Sequence, residues 1–510
     1  MSRTQNSLKN VKYGSIAYGA KVLAAFFLRM VFVSVLSSEY MGIEGVFTTM
    51  LYVISLAGLG YETAVSYALY KPIAENDYGR IRSIMAMYRK TSIFITLSIA
   101  GIGLLLLPLL NIFILDIPNI ADIELLYLLF VVNTAVGYLF YYNKVLITAY
   151  QKQYIVVTTH YLLGMVMDLT QAALLLLTRS YLACMLSQIV FSLLENGLLA
   201  WKVRRLYGFL FSGEPGLERE SVRPSILRYV HSALFHKAGE AILTYADTIL
   251  ISSCVGILAA GLYSNYKFIT YALNSVFILL LNGVAASIGN LGASGAQNRS
   301  REVFFAYNFV AAWLYGLSSI CLFLLFNPFI KLWLGTDYLL PDGVVAAISL
   351  HFYLSGMKKP VLVYRDVLGL FSFDRYVPVA EVALYIGLSI WLASSLGIVG
   401  VMFAGILAQL LTSFWAEPRV VFQRGFSGQA GAYFGKYTLY AVITVGAGGG
   451  VYLLCGMVVA GGALGLLFRA CIAVLLPNLL FTAAYWNTPE FMTLRHAIRD
   501  IWKKKRENRD

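Results

Sequence analysis

Charge is what this sequence is short of. Lys, Arg, Asp and Glu make up 13% of its 510 residues, while 59% are hydrophobic. Soluble domains are about 25% charged and about 45–50% apolar, so a soluble globular fold is excluded. The apolar residues come in runs of about 20, the length that crosses a bilayer as a helix, without the alternation of barrel strands. Cysteine is also scarce. Cys184, Cys254, Cys321, Cys455 and Cys471 lie within or at the ends of apolar runs, with no CxxC and no paired spacing. They give no basis for a disulfide or a metal site. His160, His231, His236 and His351 show no HxxxH or HExxH spacing, so no zinc site is expected. Walker A, G-x-S-x-G and a credible GxGxxG are missing, which removes an intrinsic ATPase and covalent catalysis. No cofactor is expected. A cleaved signal peptide is not expected either: Lys21 and Arg29 interrupt the first apolar stretch, which reads as a retained helix.

What is present is a series of fourteen candidate spans, near 13–36, 42–69, 91–115, 124–148, 155–177, 180–201, 226–253, 256–288, 303–327, 343–364, 376–395, 398–417, 434–456 and 461–485. The formal charge of +13 does not point to nucleic acid, because the basic residues gather in alternate loops. Lys71, Arg80, Arg82, Arg89 and Lys90 follow span 2. Lys202, Arg204, Arg205, Arg219 and Arg223 follow span 6. Arg365 and Arg375 follow span 10, and Arg419 and Arg424 follow span 12. By the positive-inside bias both termini are cytoplasmic. The basic tail from Pro489, ending Trp502-Lys503-Lys504-Lys505-Arg506, reads as a stop-transfer segment near anionic lipid.

The polar, glycine- and proline-bearing loop near 203–225 divides the chain. The expected organisation is an N-terminal lobe at 1–203, a cytoplasmic linker at 204–225, a C-terminal lobe at 226–433, spans 13 and 14 at 434–488 and a tail at 489–510. A short internal repeat supports two equivalent halves. Residues 45–51 read Gly-Val-Phe-Thr-Thr-Met-Leu, and 261–267 read Gly-Leu-Tyr-Ser-Asn-Tyr-Lys. Arg29 lies sixteen residues before Gly45, and Asp247 lies fourteen before Gly261. Paired six-helix halves with a site near the midplane are a transporter plan.

The chemistry is expected where charge enters the spans, because a charge at bilayer centre costs roughly 2.5–3.5 kcal/mol on insertion scales. Lys21 and Arg29 of span 1 are ~12 Å apart along a helix and ~80° apart around it, so both can line one cavity. Guanidinium and ammonium together suit a diphosphate. The competing expectation is structural pairing, Lys21 with Glu62 and Arg29 with Asp247. Span 7 holds His236, Lys237, Glu240 and Asp247. Glu240 or Asp247 could take up a proton or sodium as coupling ion, or Lys237 could simply pair with Glu240 three residues on. Lys267 of span 8 is a further buried cation, and Asp168 and Glu195 are further acids.

Several stretches resemble bacterial polysaccharide flippases. They are Tyr40-Met-Gly-Ile-Glu-Gly-Val-Phe47, Tyr70-Lys-Pro72, Asp247-Thr-Ile-Leu-Ile-Ser252, Gly261-Leu-Tyr-Ser-Asn-Tyr266, Ala286-Ser-Ile-Gly-Asn-Leu291, Tyr364-Arg-Asp-Val-Leu-Gly-Leu-Phe371, Asp374-Arg-Tyr-Val-Pro378 and Leu396-Gly-Ile-Val-Gly-Val401. The chain is similar, through span 12, to the lipid-linked oligosaccharide exporters of the multidrug/oligosaccharidyl-lipid/polysaccharide (MOP) superfamily. The resemblance implies an all-α polytopic fold of about fourteen transmembrane helices. Two pseudo-symmetric six-helix lobes would surround a central cavity, with two extra C-terminal helices beside them. It implies alternating access in the bacterial cytoplasmic membrane. The cargo would be an undecaprenyl-diphosphate-linked oligosaccharide, the driving force a proton or sodium gradient, and the pathway partners polymerases and glycosyltransferases. Lys21, Arg29, Lys267 and Lys237 are the candidate cavity cations; Glu62, Asp168, Glu240 and Asp247 are the coupling-ion or charge-pair candidates. Spans 13 and 14 resemble the fourteen-helix members, so a lipid II-type flippase stays open. A cation or drug antiporter is the alternative, kept alive by Glu240 and Asp247. An enzyme such as a polysaccharide polymerase is disfavoured, because its catalytic residues usually sit on a sizeable outward loop and the longest such loop here, about 328–342, carries only Lys331, Asp337 and Asp342.

Overall fold

The computed structural model describes residues 3–115, 118, 120, 122–210, 239, 241–293, 297–370, 373–426, 428–458, 461–495 and 499. Among them the regular elements are all helical. Within the described residues each expected span falls on a helix: α1 (Arg3–Val35), α2 (Ser38–Glu75), α3 (Tyr78–Leu106) with its short continuation α4 (Leu110–Phe113), α5 (Ile123–Leu139) with α6 (Tyr141–Ala149), α7 (Gln153–Thr178), α8 (Tyr181–Tyr207), α9 (Ala241–Cys254), α10 (Ile257–Ala293), α11 (Gln297–Trp333), α12 (Asp342–Val367), α13 (Val377–Leu396), α14 (Ile398–Leu411) with α15 (Ser413–Val420), α16 (Gly431–Gly456) and α17 (Gly462–Tyr485). Ten of these segments are long and apolar enough, by length and composition, to cross a membrane. Of the other four expected spans, three coincide with α2, α10 and α12; the seventh, 226–253, is described only at 239 and from 241, where it is α9. Large apolar side chains such as Leu23, Phe94, Leu177 and Val445 stand exposed on the outer faces. Lipid, not water, is the solvent for such a surface, and the chain is a multi-pass membrane protein.

Several helices outrun their apolar spans. α3 starts at Tyr78, where Asp77 caps it by accepting from the Arg80 amide at 2.9 Å. Its basic first turns are therefore helical although they lie outside the apolar run. Besides the turn at Leu107–Leu109 that separates α3 from α4, two spans are broken. Between α5 and α6, Phe140 leaves helical geometry, and its carbonyl is satisfied by the amide and side chain of Asn143 at 3.1 and 3.2 Å. Between α14 and α15 the break is at Thr412, and a π turn at Val421–Gly425 follows α15. Pro418 removes one donor from the intervening ladder.

Packing groups the chain into two compact units, Met1–Gly261 and Leu262–Asp510. The expected linker at 204–225 lies outside the described residues from 211 onward. In the first unit a buried cluster joins Val65 and Leu69 of α2, Ile81 and Tyr88 of α3, Val145 and Leu146 of α6, and Leu199 and Val203 of α8. α1 runs parallel to α7: the Tyr18 ring meets Tyr161 edge-on at 5.3 Å, and Lys21 lies over Gly164 one turn further along both helices.

The starts of α2 and α10 cross at two glycines. A Cβ on Gly42 would overlap the Ile257 carbonyl, and one on Gly261 would overlap the Ser38 carbonyl. Each glycine thus faces the residue four positions before the other, so only glycine lets the two backbones approach this closely. The expected repeat aligns Gly45 with Gly261. The crossing instead makes Gly42 the counterpart of Gly261, three residues earlier.

In the second unit α16 and α17 pack on α11. The Trp313 ring nitrogen donates to Asn478 at 2.8 Å, and Phe309 meets Tyr485 edge-on at 5.1 Å. The spans beyond the twelfth are integral to this unit.

Candidate functional site: buried charges on the membrane helices

Lys21 lies on the face of α1 that packs against α7. Its stem crosses Gly164, where an added Cβ would meet the Lys21 Cε at 3.0 Å. One turn further on, its ammonium reaches Asp168, whose carboxylate is almost fully buried. Gly164 and Asp168 are four apart and share a helix face, so one supplies the groove and the other the counter-charge. The expected partner of Lys21 was Glu62, and this is corrected. Glu62 accepts a hydrogen bond from the Tyr141 hydroxyl at 2.9 Å, on the far side of the Phe140 break.

Arg29, two turns beyond Lys21, meets Glu44 near the start of α2 at 3.5 Å. The two ion pairs differ in kind. Asp168 is sealed at 3% exposure, while the Glu44 side chain is 42% exposed and contacts Arg29 at a distance too long for a good hydrogen bond. The Lys21 pair is therefore the more enclosed of the two.

Asp247, on α9, is buried, and its Oδ1 accepts from the Thr248 amide at 2.7 Å. Thr248 in turn lies against Gly45, where a Cβ would meet its Cγ2 at 3.0 Å. Lys267 belongs to the second unit, in the third turn of α10, and is half-buried. Lys237 and Glu240 lie outside the described residues. The structure thus joins Lys21 to Asp168 and Arg29 to Glu44; it does not join Lys21 to Glu62.

Some charge clusters were not foreseen. Glu195 of α8 accepts from Lys144 at 2.7 Å and lies 3.0 Å from the His160 ring, while Lys202 donates to Thr159 at 2.8 Å. A second network joins Lys358, Arg365, Asp374, Glu381 and Glu417. Its available signal was carboxylates inside apolar runs, at Glu381 and Glu417. Beside it, a largely apolar cavity of about 490 Å³ opens between α11, α12 and α16, lined by Ile320, Phe323, Leu350, Tyr353, Val445 and Tyr452 among others.

No protein-family profile and no curated protein matches the chain. Solved structures do match. The lipid II flippase MurJ in an inward closed conformation is similar with a TM-score of 0.66 and 14% identity, over 93% of this chain and 99% of that one. An inward-facing multidrug resistance MATE family transporter of the MOP superfamily gives 0.62 and 13%, over 80% and 96%. A MOP superfamily transporter from Pyrococcus furiosus gives 0.55 and 12%, over 83% and 97%. At these identities the shared property is the fold: the resemblance to MOP-superfamily flippases holds at the level of chain path.

Proposed function

We propose that this protein is a flippase for an undecaprenyl-diphosphate-linked oligosaccharide in the bacterial cytoplasmic membrane, working by alternating access with both termini cytoplasmic. The observation that carries the reading is Arg29, a cation within the first membrane helix of this fold, whose acid partner Glu44 has a partly exposed side chain. An incoming diphosphate can displace Glu44 and take the guanidinium fork, since Arg grips phosphate oxygens with two parallel donors. Lys21, held by Asp168, fixes α1 on α7 and sets the depth at which Arg29 is presented. Lys267 of the second unit, and Lys237, which lies outside the described residues, are further candidate cations.

Two observations favour a lipid-borne cargo over a small cationic drug. The cation of the Arg29–Glu44 pair is on the bundle's first helix, and its acid is the partner that is half in the open. The apolar cavity beside α16 has the size of a ligand pocket and suits a stretch of hydrocarbon chain. The lipid II flippase also covers more of this chain than the MATE transporter does, which keeps a peptidoglycan precursor as the second reading. Glycosyltransferases would supply the cargo and a polymerase would consume it.

The test is transport by the full-length protein in proteoliposomes, followed by quenching of a fluorescent headgroup. Prenyl-diphosphate oligosaccharide, lipid II and an organic cation are compared. Movement of either lipid-linked substrate supports a flippase and tells the two cargos apart. Movement of the cation alone overturns the reading.

A further inference from the structure

At one end of the second unit, three exposed arginines are held by aromatic rings. Arg424 lies over the Phe373 ring at 5.0 Å, Arg375 over Tyr376 at 4.7 Å and Arg419 over Trp415 at 5.8 Å. Among the described residues none of the three has a hydrogen bond or an ion pair. The manner of holding matters. A ring attracts the guanidinium without consuming its in-plane N–H donors, where a carboxylate would take two of them.

Two connections meet here. Phe373 and Arg375 belong to the segment between α12 and α13, and Arg424 to the π turn between α15 and α16. Arg424 reaches across to Phe373, and the side chains of Leu368 and Leu370 lie beside Gly425, where an added Cβ would meet them at 2.8 and 3.4 Å. Arg375 and Arg424 are thus anchored within residues 373–376. The two acids of the first connection are engaged on Arg365, Asp374 at 3.2 Å with its side chain sealed and Asp366 at 3.0 Å. In the second, the sequence from Arg419 to Lys436 has no carboxylate, and Lys436 itself is paired with Glu490.

The surface below the two arginines says what they face. Tyr376 stands exposed at the start of α13, and Val379, Ala383, Ile386 and Ile390 follow it, all exposed. They are three or four residues apart, so they form one apolar stripe down a helix long enough to cross the bilayer. A tyrosine heading such a stripe sits at headgroup depth, with hydrocarbon beneath it.

We propose that Arg375 and Arg424 form a docking site for the phosphate of an anionic phospholipid whose acyl chain lies along this stripe of α13. Guanidinium grips phosphate oxygens with parallel donors. A zwitterionic headgroup brings its own cation against the two arginines and is disfavoured. Free phosphate and a soluble acidic protein could answer the charge, but neither gains anything from the stripe. The site concerns the lipid around the protein and not its cargo, so it stands or falls apart from the transport reading.

The test uses the full-length protein in detergent, with bound lipid counted by native mass spectrometry. The probes are dioleoyl phosphatidylglycerol, dioleoyl phosphatidylcholine, inorganic phosphate and a polyglutamate peptide. Wild type is expected to hold its first phosphatidylglycerol about tenfold more tightly than phosphatidylcholine, the worth of one charge-assisted hydrogen bond. R375Q/R424Q should lose this preference. R375K/R424K should keep part of it, since ammonium retains the charge and lacks the fork. R89Q/K90Q, which removes the same charge from exposed residues of α3, should keep all of it. A wild-type protein without the preference overturns the proposal whether or not the variants fold. A preference kept in R375Q/R424Q overturns it too, as does one lost equally in R89Q/K90Q, which would make it a matter of overall charge. Displacement of bound phosphatidylglycerol by an equal concentration of inorganic phosphate or polyglutamate overturns the lipid in favour of a free anion or an acidic partner.

Discussion

Lys21 of α1 reaches Asp168 of α7 across Gly164, so a cation within the membrane span is neutralised by its neighbour helix and not by cargo. Removing one member strands the other in a low-dielectric setting, which is costlier than removing both. Asp168→Asn should therefore lower stability by about 3 kcal/mol, and Lys21→Met combined with Asp168→Leu should recover most of it. Thermal unfolding in detergent of the two single variants and the double variant checks this; additive losses would remove the structural role.

Arg29 should behave in the opposite way. Its partner's side chain is partly exposed, so Arg29→Ala is expected to shift the unfolding midpoint less than Asp168→Asn does. Flipping of a diphosphate-linked substrate should fall about 10–100-fold, the worth of one or two charge-assisted hydrogen bonds. Arg29→Lys should recover only part, since an ammonium lacks the fork. Initial flipping rates together with melting curves separate the two effects.

At the crossing of α2 and α10, Gly42→Ala and Gly261→Ala each push a methyl group into a carbonyl of the facing helix. Each is expected to cost about 1–3 kcal/mol, the usual range for overpacking. By contrast Gly449→Ala, with nothing within 4 Å of the new Cβ, should be neutral or slightly stabilising. Parallel melting curves of the three variants give the comparison.

The apolar cavity beside α16 gives a prediction about the lipid chain. Gly449 lines it and has open space at its Cβ position, so Gly449→Phe fills the cavity without a clash at the backbone. KM for a long prenyl-diphosphate substrate should rise several-fold with kcat little changed, and a short-chain analogue should be unaffected. Equal effects on both chain lengths would show that the cavity does not hold the chain.

The spans were readable because lipid imposes a length on every apolar run, whatever the neighbours. Among the described residues the expected spans fall on helices, and Lys21, Arg29 and Asp168 stand out from the sequence because charge in such runs is rare. Partners were not readable. The choice of Glu62 for Lys21 rested on depth along the helices, and depth does not say which helices touch; α1 lies on α7, which makes Asp168 the neighbour. The breaks at Phe140 and Thr412 carry no glycine or proline at the break itself, so nothing local announces them. Arg365 and Asp374 looked like loop residues because they sit next to a span end, yet the structure buries both beside Glu417. The internal repeat was seen but misregistered by three residues, because the aromatic and hydroxyl pattern drew the alignment to Gly45 while the close backbone approach is made by Gly42.

That approach has a further meaning. Gly42 meets the fourth residue before Gly261, and Gly261 meets the fourth residue before Gly42. Reciprocity of this kind is the mark of an isologous contact, the sort made by identical partners around a dyad. All four residues lie within the first unit, so this reciprocal seam belongs to that unit's own packing. Each glycine sits in its own stretch of sequence, yet neither can be replaced without the other helix feeling it.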